Sequence, residues 1–113
     1  AYATSKGGLL GMTRDLSTKS CKENLGVRVN AVIPAQVNNE GYREFLKTVS
    51  NPEEFEYLGA YREPFGHRRS EPQEVANVIV FLASNERASR ITGAHIPVDG
   101  GYLHTNPAVG RRR

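Results

Sequence analysis

Val27-Arg28-Val29-Asn30-Ala31-Val32-Ile33-Pro34 decides how the fold of this 113-residue chain is read. The run is short, rich in β-branched residues and closed by a proline, which predicts a buried strand over 27–33. What precedes it is helical. Leu9, Met12 and Leu16 recur at helical spacing, predicting a helix from about Tyr2 to about Glu23, with Gly26 as a stop. A helix leading into a buried strand is the αβ half of a parallel-sheet unit. In open α/β sheets ligands bind beyond the carboxyl ends of the strands, so residues from Pro34 to about Asn39 are the first expected ligand contacts.

Working back toward the start, the first helix opens with Tyr2-Ala3-Thr4-Ser5-Lys6. A tyrosine and a lysine four positions apart lie on one helix face, about one turn apart. A phenol and an ammonium so placed can form a proton-transfer pair, because a nearby cation favours the phenolate. Gly7, Gly8 and Gly11 follow within the helix, although each costs about 1 kcal/mol relative to alanine. That cost is compatible with a frayed helix or, as favoured here, with a face kept small for close approach of another helix or a ligand.

Working forward, Tyr42, Phe45, Leu46 and Val49 mark one short amphipathic helix. Asn51-Pro52-Glu53-Glu54 predicts a capped start for a second. Two short helices after a strand end can serve as a lid or as plain packing. Ser70-Glu71-Pro72-Gln73 has the form of a capping box opening a helix with Val75, Val78, Ile79 and Leu82 on one face. Thr92-Gly93 leads into a last strand over 94–98, which carries Pro97 and so belongs at an edge or irregularity. Asp99-Gly100-Gly101 then turns the chain sharply.

Composition narrows the possibilities. The chain is 38% hydrophobic and 24% charged with a net charge of +3, as suits one small domain with a modest core. Arg111-Arg112-Arg113 alone can account for the positive excess, and no basic stripe interleaves with aromatics, so a nucleic-acid partner is not expected. Cys21 is the single cysteine, which rules out an internal disulfide and suits a reducing cytoplasm. No apolar run approaches membrane-spanning length. His67, His95 and His104 lack metal-ligand spacing, and no metal site is expected.

Five stretches, in order, resemble the C-terminal half of a short-chain dehydrogenase/reductase: Tyr2-Ala3-Thr4-Ser5-Lys6; Arg28-Val29-Asn30-Ala31-Val32; Pro34-Ala35; Glu74-Val75-Ala76 through Phe81-Leu82-Ala83-Ser84; and Thr92-Gly93 with Val98-Asp99-Gly100-Gly101. The resemblance implies an α/β fold, the C-terminal part of a doubly wound parallel-sheet, Rossmann-type α/β/α domain. On this reading residues 1–113 lack the N-terminal dinucleotide-binding half, and 103–113 form a flexible tail. It implies hydride transfer between NAD or NADP and an alcohol or carbonyl in the full-length parent, and a homo-oligomer, dimer or tetramer. Tyr2 would be the acid/base and Lys6 would hydrogen-bond the nicotinamide ribose. Pro34 and Ala35 would line the nicotinamide, with the Val37 backbone facing the carboxamide and Asn39 near it. Two departures stand out: the family usually has Pro-Gly at Pro34-Ala35, and commonly a threonine near Asn39. Val32-Ile33-Pro34-Ala35 and the ending Val98 to His104 resemble a sugar-oxidising branch that includes L-fucose dehydrogenases. The alternative reading is a non-catalytic short polypeptide acting only in subunit association, through the 75–82 helix and the last strand.

Overall fold

The computed structural model describes residues 1–103. Its elements run α1 (Tyr2–Lys22), β1 (Ala31–Pro34), α2 (Glu40–Leu46), α3 (Pro52–Tyr61), α4 (Pro72–Ala83) and β2 (His95–Val98). The fold is α/β, with β1 and β2 adjacent in one sheet. Backbone bonds from Gly93 N–H to the Val29 carbonyl and from Ala31 N–H to the Ala94 carbonyl advance in the same direction along both segments, the mark of a parallel pair. The expected tail, with His104 and Arg111–Arg113, lies outside the described residues apart from Leu103. The chain divides into two compact units. One comprises Ala1–Ile33 and Val78–Ile96; the other comprises Pro34–Asn77 and residues from Pro97 onward.

In the first unit, α1 ends where the sequence predicts, but by another residue. Asn24 takes a left-handed φ of 53°, its N–H donates to the Cys21 carbonyl, and Leu25 N–H donates to the Ser20 carbonyl. This is a Schellman arrangement, completed before Gly26 is reached. The face that α1 buries is not the one that carries its regularly spaced apolar residues. Leu9, Met12 and Leu16 are roughly half exposed, whereas Thr13, Ser17 and Ser20 are buried. Their hydroxyls are satisfied locally: Thr13 donates to the Leu9 carbonyl and Ser17 to the Arg14 carbonyl. Ser20 donates to Val27 and accepts its N–H in return. A small polar face allows close packing; a Cβ on Gly93 would come within 2.8 Å of the Ser17 hydroxyl oxygen.

The predicted strand over 27–33 is shorter and shifted, because residues 27–30 bond mainly to side chains and loops. Thr92 Oγ1 accepts the Val29 N–H, and Asn30 bridges the Ile91 carbonyl and the Ala94 N–H. Arg28 closes the C-terminus of α4, donating to the Leu82 carbonyl at 2.7 Å and to Asn85 Oδ1 at 3.1 Å, where a cation also suits the helix dipole. β1 itself is half-buried rather than buried.

In the second unit, α2 stops at Leu46, so Val49 lies in the turn beyond it. Phe45 and Phe55 pack edge to face, with centroids 5.5 Å apart, joining α2 to α3. Asn51 caps α3 as predicted, accepting the Glu54 N–H, with Pro52 in the first turn. The capping box of α4 sits one residue later than the sequence suggests. Glu71 N–H donates to Glu74 Oε2 at 2.8 Å, while the Ser70 hydroxyl turns instead to Glu63. The Asp99 turn is tightly held: its carboxylate accepts the N–H groups of Gly101 and Leu103, with Gly100 and Gly101 both at positive φ.

Candidate functional site

Tyr2 and Lys6 occupy the first turn of α1. Ala1 provides no side-chain cap, and the turn is tied by Ser5, whose N–H donates to Ala1 and whose hydroxyl donates to the Tyr2 carbonyl at 2.8 Å. Tyr2 is 77% exposed, and Lys6 Nζ lies 5.7 Å from its ring centroid. The four-residue spacing therefore brings ammonium and phenol together as helical geometry requires. Lys6 makes no ion pair among the described residues. Gly7, Gly8 and Gly11 have open space where a Cβ would stand. The close approach expected there is not made by this chain's described residues.

In the second unit, the loop after β1 carries Ala35, Val37 and Asn39. Pro34, the last residue of β1, is exposed. Val37 forms an isolated parallel bridge with Ser70, made by the Gln36 carbonyl accepting Ser70 N–H at 3.1 Å and Asn38 N–H donating to the Ser70 carbonyl at 2.9 Å. The Val37 N–H lies outside that bridge. Asn39 has a role that its sequence position did not suggest. Its Oδ1 accepts the Tyr42 N–H at 2.8 Å and so caps α2. Its side-chain nitrogen is not used by that cap.

Beneath this loop lie two charged residues that sequence reasoning missed. Glu63 is 1% exposed and Arg69 7%. Glu63 accepts the Gln36 N–H at 3.2 Å and the Ser70 hydroxyl at 3.4 Å. Burial pushes its carboxyl above the ordinary range, and those two hydrogen bonds together with the Arg69 charge pull it back only partly. Arg69 lies over the Tyr42 ring, 3.9 Å from guanidinium carbon to centroid, and its Nε reaches Glu56 at 3.4 Å. Its Nη1 donates to the Gln36 side-chain oxygen. Tyr42 in turn donates to Glu56, and burial with that carboxylate raises the phenol to about 12. No periodicity marks Glu63 or Arg69, since charged residues in an irregular loop are by default solvated. Of the histidines, His67 stacks on Tyr61 and His95 Nε2 lies 3.2 Å from the Leu10 carbonyl.

A family model described as "Enoyl-(Acyl carrier protein) reductase" matches residues 1–103, and the chain belongs to this family, within the short-chain dehydrogenases/reductases. It is 42% identical over 102 residues to the 3-oxoacyl-[acyl-carrier-protein] reductase FabG of Thermotoga maritima, covering 90% of this chain and 37% of that protein. Among solved structures, it superposes on the Cj0485 dehydrogenase with a TM-score of 0.87 and 38% identity, covering 98% of this chain and 42% of the other. It superposes on the aldohexose dehydrogenase of Thermoplasma acidophilum with a TM-score of 0.80 and 32% identity, covering 98% and 44%. The chain thus spans well under half the length of these relatives.

Proposed function

We propose that the polypeptide carrying this sequence is an NAD(P)-dependent oxidoreductase acting on an alcohol or carbonyl, and that these residues form the C-terminal part of its single domain. The observation that carries this reading is the exposed Tyr2–Lys6 pair, with the Lys6 ammonium in no ion pair among the described residues. Residues of this chain suit the nicotinamide end of a dinucleotide. Lys6 offers an uncommitted donor for a ribose hydroxyl, and Val37 offers a backbone N–H for a carboxamide. They do not suit the pyrophosphate end. Among the described residues, the glycines at positive φ (Gly26, Gly66, Gly93, Gly100 and Gly101) open no helix.

When bound, the nicotinamide supplies the hydride chemistry. Tyr2 exchanges the proton with the substrate oxygen, and the Lys6 charge stabilises negative charge developing on that phenol. Pro34 and Ala35 line the nicotinamide, and Asn39 contributes through its side-chain nitrogen. A sugar is the favoured substrate class, on the likeness to the aldohexose dehydrogenase. The same polypeptide works as a homo-oligomer; Ile79, Val80 and Phe81 of α4, each more than 40% exposed, provide apolar surface for association.

The test is Tyr2→Phe in the full-length protein, with dinucleotide binding followed by nicotinamide fluorescence and turnover measured on a panel of sugars and secondary alcohols. Turnover is expected to fall by about 100-fold or more with binding retained. Unchanged turnover would remove the acid/base role.

A further inference from the structure

Gln36 sits between two residues assigned to the nicotinamide, and three of its polar groups are taken. Its N–H donates to Glu63, its carbonyl accepts from Ser70 N–H, and its side-chain oxygen accepts from Arg69. The Gln36 carbonyl and the Val37 N–H belong to one planar trans peptide and so point in opposite directions. Ser70 N–H holds that carbonyl and with it the direction of the Val37 N–H, while Glu63, which also accepts the Ser70 hydroxyl, and Arg69 hold the rest of Gln36 around it. Both charged holders are more than nine-tenths buried, and they come from positions 27 and 33 residues further along the chain. Burying a carboxylate and a guanidinium carries a desolvation cost that only well-made hydrogen bonds offset. Arg69 Nε and Nη2 make no hydrogen bond among the described residues, although Nε lies 3.4 Å from the Glu56 carboxylate. The surroundings are nevertheless shaped around it. A Cβ at Gly59 would collide with Nη2, and would lie 2.8 Å from Cζ and 2.9 Å from the Gln36 side-chain oxygen.

We infer that Glu63 and Arg69 are positioning residues, holding Gln36 so that the Val37 N–H is aimed for the carboxamide of a bound nicotinamide. The inference rests on the dinucleotide reading above. Neither residue touches the cofactor; both act through Gln36. The pair replaces the stiffness that a short loop lacks, and its loss leaves the loop present but misaimed.

The experiment uses the full-length protein, with NADH and NADPH as probes followed by fluorescence, and amide hydrogen exchange across 34–39 in the cofactor-free state. Arg69→Met and Glu63→Leu are expected to weaken binding tenfold or more and to speed exchange of the Val37 amide. Glu63→Gln, whose amide oxygen still accepts the Gln36 N–H, is expected to bind within threefold of wild type. Wild-type affinity in Arg69→Met and Glu63→Leu overturns the inference, as does equal loss in Glu63→Gln and Glu63→Leu. If the first two variants do not fold, Arg69→Lys decides. It keeps the charge but not the fork, so tenfold weaker binding supports the inference and unchanged binding overturns it. A wild-type protein that binds neither probe removes the dinucleotide reading itself, and this inference falls with it.

Discussion

The two units handle polar chemistry in opposite ways. In the first, the reactive pair Tyr2 and Lys6 is exposed on an uncapped helix start, and the glycines beside it face open space. Polar groups buried there are small hydroxyls that satisfy themselves within a helical turn or, for Ser20, against the Val27 backbone in the segment before β1. In the second, full charges are buried, and a carboxylate and a guanidinium are tied to one loop residue from far along the chain. Helical spacing alone is enough to pair two side chains at a surface. Aiming a backbone N–H takes contacts from several segments, because a loop has no repeating geometry to enforce it.

The contrast can be broken at its most sensitive point first. Tyr2→Phe should lower turnover by about 100-fold or more, and Lys6→Met should lower both turnover and dinucleotide affinity. A Lys6→Met protein with unaltered affinity would place the lysine outside the ribose contact. Gly59→Ala should come next, destabilising by about 1–3 kcal/mol in urea unfolding because the new methyl meets the Arg69 guanidinium. A neutral effect would mean that Arg69 is not seated there.

Titration sharpens the comparison further. The Glu63 carboxyl is raised, mainly by burial, so folding is favoured as pH falls through its folded value and penalised above it. Glu63→Gln removes that penalty. Its gain in unfolding midpoint over wild type should be largest near pH 8 and should close as pH drops below about 4.3. Glu74 behaves in the reverse sense. The Arg68 hydrogen bond, with a second from Glu71 N–H, lowers it to about 2, so its contribution is present above the ordinary carboxylate range and is lost as pH falls toward 2. Thermal melts of Glu74→Gln should therefore show a deficit at pH 5 that disappears near pH 2. The smallest effect belongs to α1. Gly8→Ala should raise helicity at 222 nm in the 113-residue chain, corresponding to about 0.5–1 kcal/mol, since nothing obstructs a methyl there. A loss of helicity would show that the face is closed.

Much of the local structure was legible in advance. Asn51-Pro52 starts α3, Asp99-Gly100-Gly101 turns the chain, and the Tyr2–Lys6 pair lies on one helical turn. The cap of α4 falls one residue beyond the serine that the sequence points to, since Glu71 enters it through its backbone N–H, which donates to Glu74. The Ser70 hydroxyl bonds to the buried Glu63 instead. The structure adds a role for Asn39, whose oxygen caps α2.

The residues alone thus determined where helices begin and turn, and which side chains share a face, because caps and helical spacing act within about four residues. Tertiary structure alone decided which face of α1 is buried: Thr13, Ser17 and Ser20 rather than Leu9, Met12 and Leu16. It also decided that Glu63 and Arg69 lie inside. Burial is set by contacts between segments tens of residues apart: they supply hydrogen bonds to Glu63, and to Arg69 one hydrogen bond, the Glu56 charge and the Tyr42 ring.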